Sequence, residues 1–285
     1  MSSRLLSLVV VLVASLSFAQ SKLQVKVLTA SPEGFLVNST LVSGAKDAVL
    51  VDAAFTVADA HRLVAAVLDS HKNLTHIYVT HGHPDHYFGA EVLKAAFPKA
   101  KLVALPETVA EIQKTAKAKV AQWKPLYGNN LTDKPLVPEV LKAKSLTLEG
   151  ETLELVGPVQ GDSEHNTAVW IPSLKTVIAG DVVYSGVHPW TAETRAESRK
   201  AWAATLDALA ARGPTAVVPG HQKAELTSDP AAMGFVKTYL VDFDAAVASS
   251  KTAEEVQTKV KAKYPDLALD VIVKIGAEAQ FAPAK

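Results

Sequence analysis

The 285-residue sequence contains no cysteine, which excludes disulfides, cysteine-type zinc fingers, iron–sulfur clusters, thiolate nucleophiles and acylation of a lipoprotein cysteine. Any metal must be held by His, Asp and Glu. Excess charge is missing too: 29 Lys+Arg balance 29 Asp+Glu, so no long-range field favours nucleic acid or anionic lipid, and neither is expected as a partner. Repeats, low-complexity tracts, charge blocks and a Gly-x-Ser-x-Gly turn for a serine nucleophile are also lacking. What is present is apolar material, 48% of residues, enough for a substantial core and unlike a disordered chain.

No stretch is apolar over the roughly 20 residues that a membrane span needs. The longest run, Leu5 to Ala14 with Ser7 inside it, follows Arg4 and precedes the small residues Ser17 and Ala19 around Phe18. This pattern is that of a secretory signal peptide, residues 1–19, cleaved near Ala19. The expected mature protein, residues 20–285, is a single domain with C-terminal helices, periplasmic or secreted, with no stable membrane association.

Periodicity divides the mature chain into two halves, each strand-rich and then helix-rich. Leu23–Thr29, Gly34–Val42 and Ala48–Val51 read as strands of a meander, Val57–Leu68 as a helix and His76–Thr80 as a short buried strand. Helices follow over Phe88–Phe97 and Glu107–Trp123, the second behind Pro106. In the second half, Leu146–Leu148, Thr152–Val156, Ala168–Ile171 and Thr176–Ala179 read as hairpin strands, and Ala216–Val218 as a further strand. Its helices are expected over Ala192–Ala211, Asp229–Ser249, Ala253–Lys263 and Asp270–Ala277. Such halves imply two sheets packed face to face with helices outside.

Chemistry concentrates in Thr80-His81-Gly82-His83-Pro84-Asp85-His86. Solvated turns draw on Gly, Asn, Asp and Ser, and rarely on three histidines. In an extended loop His81 and His83 point the same way, and Asp85 with His86 can turn toward a second point nearby. Imidazole and carboxylate without thiolate suit zinc, with iron or manganese tolerated.

The His81-x-His83-x-Asp85-His86 pattern resembles the signature of the metallo-β-lactamase superfamily, and further motifs of that family follow in order. The resemblance implies an α+β, four-layer αβ/βα sandwich with a site for two Zn2+ at the sheet edges. It is similar to lactonase and glyoxalase II-like zinc hydrolases. On that resemblance Asp52 supports the histidine loop from behind, Asp181 bridges the two metals and His221 completes the second group with Asp85 and His86. The usual histidine before a strand is replaced by Gly161-Asp162-Ser163-Glu164-His165-Asn166-Thr167. Register favours Asp162 as the third ligand beside His81 and His83, chemistry favours His165, and Glu164 is a weaker choice.

The implied activity is hydrolysis of a small-molecule ester, lactone or lactam by a metal-bound hydroxide, with Asp85, Asp181 and Tyr184 in catalytic roles. Tyr184 stands where similar lactonases place a tyrosine that reaches the substrate carbonyl, and packing is its other reading. His188 and Trp190 are expected to wall the pocket, and Gln122–Pro138 is either a lid or a surface loop. His61, His71 and His76 read as surface or packing residues. The aspartate at position 181 counts against a metallo-β-lactamase proper, where Cys or Ser is usual. Two further readings on the same fold are a di-iron redox protein, whose relatives usually carry Glu at the place of His83, and a non-catalytic metal-binding protein.

Overall fold

The computed structural model describes residues 23–282; the segment 1–19, expected to be a signal peptide, lies outside the described residues. Strands β1 (Gln24–Thr29), β2 (Asn38–Ser43) and β3 (Asp47–Val51) form an antiparallel meander. Strands β4 (Asn73–Tyr78), β5 (Lys101–Ala104) and β6 (Glu139–Val140) then join in parallel, giving a six-stranded sheet in sequential order. Parallel pairing needs crossovers, and α1 (Val57–Asp69), α2 (Ala90–Ala96) and α3 (Pro106–Tyr127) lie between those strands in the chain. Thr56 caps α1 by accepting from the Asp59 amide.

The second sheet has the order β12-β10-β9-β8-β7. Strands β7 (Ser145–Leu148), β8 (Glu151–Val159), β9 (Asn166–Ile171) and β10 (Thr176–Ile178) run antiparallel, and β12 (Ala216–Val218) joins β10 in parallel across α4 (Ala196–Ala210). A two-stranded parallel ribbon pairs β11 (Tyr184–Ser185) with β13 (His221–Gln222). The chain finishes with α5 (Ala231–Ala248), α6 (Ala253–Lys263) and α7 (Asp270–Phe281).

The period-2 alternation of strand side chains explains the layers. Val49, Val51, Tyr78, Val169, Ile171 and Ile178 point between the two sheets and share one core. Their neighbours Leu50 and Ile77 face α1, α2 and α3, and Trp170 and Val177 face α4 and α5 around the buried Trp202. Each fully buried side chain of this size contributes about 1.5–3 kcal/mol of transfer free energy. The result is the expected αβ/βα sandwich. Among the described residues, no helix is long and apolar enough to cross a membrane.

Several expected elements differ: β4 spans Asn73–Tyr78 rather than His76–Thr80, β8 runs on to Val159, and α7 continues past Ala277 to Phe281. Residues 34–37 are not strand: Pro32 starts a 3-10 turn, and Phe35 and Leu36 both adopt left-handed φ values, 58° and 55°. Helix α4 begins at Ala196 rather than Ala192, where the Ser198 hydroxyl accepts from the Arg195 amide. Helix α3 runs past Trp123 to Tyr127 with Pro125 in its last turn, where the ring removes one helical N–H donor and the helix ends two residues later.

Candidate metal centre

Every chemistry-bearing residue of the cluster follows a strand at one end of the two sheets. Asp52 follows β3, residues 80–86 follow β4, Asp162 leaves β8, Asp181 leaves β10 and His221 follows β12. Two groups result, each with ligand atoms within 4.8 Å of one another: His81, His83, Asp162 and Asp181, and Asp85, His86 and His221.

Asp181 lies where the groups meet. Its Oδ1 is 3.2 Å from His86 Nε2, and its Oδ2 is 3.2 Å from His221 Nε2 and 3.6 Å from His81 Nε2. Close backbone approach makes this possible: a Cβ on Gly220 would stand 1.9 Å from Asp181 Oδ1, so only glycine fits before His221. Asp85 Oδ2 lies 3.2 Å from His221 Nε2 and 3.8 Å from His86 Nε2.

Each imidazole is held from behind. His86 Nδ1 is 2.8 Å from Asp52 Oδ2, and the other oxygen of Asp52 accepts from the Thr80 amide at 2.8 Å. Asp52 is itself left-handed at φ 63°, a strained conformation for a non-glycine residue that over-determined surroundings must hold. His221 Nδ1 donates to the Phe35 carbonyl at 2.7 Å, which accounts for the left-handed turn at 35–36. His81 Nδ1 lies 3.1 Å from the Thr80 hydroxyl, and His83 Nε2 lies 3.0 Å from Glu193 Oε1.

Asp162, and not His165, belongs to the cluster. Asp162 is fully buried, with Oδ2 3.1 Å from His83 Nδ1, and it accepts from Asn166 Nδ2 at 2.9 Å. His165 is 41% exposed and its nearest charged neighbour is Glu164 at 4.0 Å, on a separate surface groove. Register therefore outweighs the usual preference for imidazole. Tyr184 is buried, and its hydroxyl lies between Asp162 Oδ2 at 2.9 Å and Asp181 Oδ2 at 2.8 Å, able to donate its one hydrogen to either.

The electrostatics follow from this crowding. Burial opposes charge on His86 and His221, but Asp181 and the adjacent carboxylates prevail and hold His221 up to about 10 and His86 well above its ordinary value. Burial likewise opposes charge on His83, overcome by Asp162 and Glu193. Asp162 is pushed up to about 6 by burial against the pull of His83. Asp181 stays well below the usual range despite burial because His221, His86 and His81 surround it.

The donor set fits a cation. His81 Nε2, His86 Nε2 and Asp181 Oδ1 are buried without a hydrogen bond, each leaving a desolvated group at a cost of about 1–3 kcal/mol. The three atoms are divided between the two groups, where bound divalent cations would satisfy them. Four histidines and three aspartates without sulfur match a borderline-hard metal.

The cluster opens on a cavity of about 650 Å³, within the range for small-molecule sites. His188 and Trp190 line it as expected, as do Trp123 and Tyr127, whose segment is the end of α3 packed on Phe35 and Phe55. His188 is buried against the Tyr239 hydroxyl at 3.1 Å, and burial lowers it to about 4, leaving it neutral. His61 and His71 are exposed and His76 is half-buried on β4, all away from the cluster. Glu193, Asn166 and the Phe35 carbonyl have no sequence signal, because only the tertiary fold brings them to the imidazoles and Asp162.

The Metallo-beta-lactamase superfamily model matches residues 32–221. Solved structures similar to the chain include a metallo-beta-lactamase family protein of Thermus thermophilus, at 21% identity and TM-score 0.65 over 91% of each chain. The DIM-1 metallo-beta-lactamase exposed to ceftazidime is similar at 22% identity and TM-score 0.56, over 77% of this chain and 93% of that one. A metallo-beta-lactamase of Pontibacter korlensis is similar at 18% identity and TM-score 0.57, over 79% and 97%. No curated protein matches the chain. With the family's fold, its motifs in order and a buried His/Asp cluster at the expected sheet edge, the chain belongs to the metallo-β-lactamase superfamily as a metal-dependent hydrolase.

Proposed function

We propose that the protein is an exported, dinuclear zinc-dependent hydrolase of small esters, lactones or lactams, with ester or lactone preferred. The observation that carries this reading is the division of seven buried or nearly buried ligand groups into two clusters that meet at Asp181. Bound divalent metal supplies an activated water as nucleophile and polarises the scissile carbonyl. The residues of the chain do the rest. Asp52 and the Phe35 carbonyl fix the tautomers of His86 and His221 so that Nε2 faces the cluster. Tyr184 and Asn166 hold Asp162 and Asp181 in place, and Glu193 orients His83. Asp85, at the cavity edge of the cluster, is the carboxylate best placed to take a proton from water.

The test is a panel of chromogenic ester, lactone and lactam substrates before chelation, after it and after zinc is restored. Hydrolysis lost with chelator and regained with zinc supports the proposal. Hydrolysis indifferent to metal, or none on any substrate by fully metallated protein, sinks it.

A further inference from the structure

Helix α7 carries more apolar surface than its packing uses. Val273 and Ala277, four residues apart, are buried against α5 and α6. Val271, Ile272 and Ile275 lie on a different face and line the cavity above the metal cluster, beside Leu269. A helix that packs against one layer needs one apolar stripe; the second stripe of α7 borders the cavity, with Ile272 buried in its wall and Val271 half-exposed at the mouth. Opposite it, the end of α3 presents Trp123, Leu126 and Tyr127. That wall is braced: the Trp123 ring is 5.5 Å from Phe35 and the Tyr127 ring 4.9 Å from Phe55, and the Tyr127 hydroxyl donates to the Glu33 carbonyl. Leu126 and Val271 remain 74% and 48% exposed at the mouth. Helix α7 also lies outside residues 32–221, which carry the family match.

The charges of the walls point the same way. Among the described lining residues outside the cluster, Glu33 and Glu193 are acidic and Lys119 is the one Lys or Arg. Lys119 already donates to the Gly82 carbonyl at 2.8 Å and has Glu111 at 3.9 Å. The other polar lining residues described outside the cluster, among them Gln122, Asn130 and Trp190, offer neutral donors and no further Lys or Arg to pair with a carboxylate.

We infer that the cleft between α3 and α7 holds the apolar acyl chain of a neutral ester or lactone, in preference to a carboxylated lactam. This inference rests on the hydrolase reading and names its substrate class. The reaction is simple hydrolysis: the oxygen of water bonds to the acyl carbon, the carbon–oxygen bond of the ester breaks, and the departing alcohol takes the proton.

Zinc-loaded full-length protein is to be assayed with p-nitrophenyl esters from acetate to octanoate and with nitrocefin. In parallel, quenching of tryptophan fluorescence by 2-octanone and by acetone reads binding without turnover. Expected results are a rise in kcat/KM of about fourfold per methylene at full burial, weaker turnover of nitrocefin than of octanoate, and quenching by 2-octanone only. Val271→Asp and Leu126→Asp, both at exposed positions, should cut the octanoate-to-acetate ratio by about tenfold, with metal content as in the parent. A flat ester series, an unchanged ratio in both variants, or nitrocefin as the best substrate overturns the inference while leaving the hydrolase standing. Quenching by 2-octanone that Val271→Asp abolishes, with no ester, lactone or lactam cleaved, keeps the apolar cleft and overturns the hydrolase.

Discussion

The two halves of the cluster are built differently. In the group with Asp85, both imidazoles stand on deep supports: Asp52 behind His86 is 2% exposed, and the Phe35 carbonyl behind His221 belongs to a left-handed turn. In the other group, His81 rests on the buried Thr80 hydroxyl and Asp162 is held by the buried Asn166, but His83 leans on Glu193, whose side chain is 46% exposed. A support that solvent can replace orients its imidazole less firmly than a buried one. The lesson is that the two groups differ at one imidazole: every histidine but His83 is oriented by a buried side chain or a backbone carbonyl, so the group with Asp162 in place of histidine is the less firmly preorganised half.

The strongest way to break this comparison is to remove the residue both halves share. Asp181→Ala should reduce metal content from two ions toward one and lower hydrolysis by more than the roughly 10- to 100-fold typical of an orienting residue. Tyr184→Phe, which removes a clasp and no ligand, should stay within that range of about 10- to 100-fold. Equal and mild effects in elemental analysis and steady-state kinetics would mean that Asp181 does not bridge.

Next in size is the irregular motif. Asp162→Ala should weaken or empty one metal site, whereas His165→Ala should leave stoichiometry intact, because His165 is on the surface at a separate groove. Metal analysis of both variants decides it, and metal loss in His165→Ala alone would reverse the assignment.

A smaller contrast tests the supports directly. Asp52→Ala should lower zinc affinity, by about 10- to 100-fold, more than Glu193→Ala does, since water can replace a half-exposed acceptor. Competition with a chromophoric chelator measures both, and the opposite ranking would invert the comparison of the two halves.

Protonation offers the finest distinction. The surrounding carboxylates raise His83, His86 and His221, the last to about 10, which favours the protonated imidazoles when no cation is bound. Binding a cation must displace those protons. Apparent zinc affinity should therefore rise with pH between about 6 and 8, and titration calorimetry in buffers of different ionisation enthalpy should show net proton release. Affinity independent of pH would contradict the raised values.

Much of this site is legible in the sequence for a chain-local reason. His81, His83, Asp85 and His86 occupy one loop after one strand, so their spacing alone separates two pairs of ligands. Asp52, Asp181 and His221 are reached through family motifs, each fixed by a strand end. Asp162 is legible only as a register position, and the structure separates it from His165. Glu193 and the Phe35 carbonyl act at 110 and 186 residues' separation from their histidines, which no local pattern encodes. Residues 34–37 read as strand because Phe35, Leu36 and Val37 have strand-like side chains. The demand for a carbonyl behind His221 outweighs that propensity.

The central claim, two metals meeting at Asp181, is tested most directly by counting zinc in the purified full-length protein after zinc supplementation and removal of loosely held ions. About two ions per chain are expected, falling toward one in Asp181→Ala, since the ligands divide into two groups sharing that carboxylate. One tightly bound ion or none in the parent protein would contradict it.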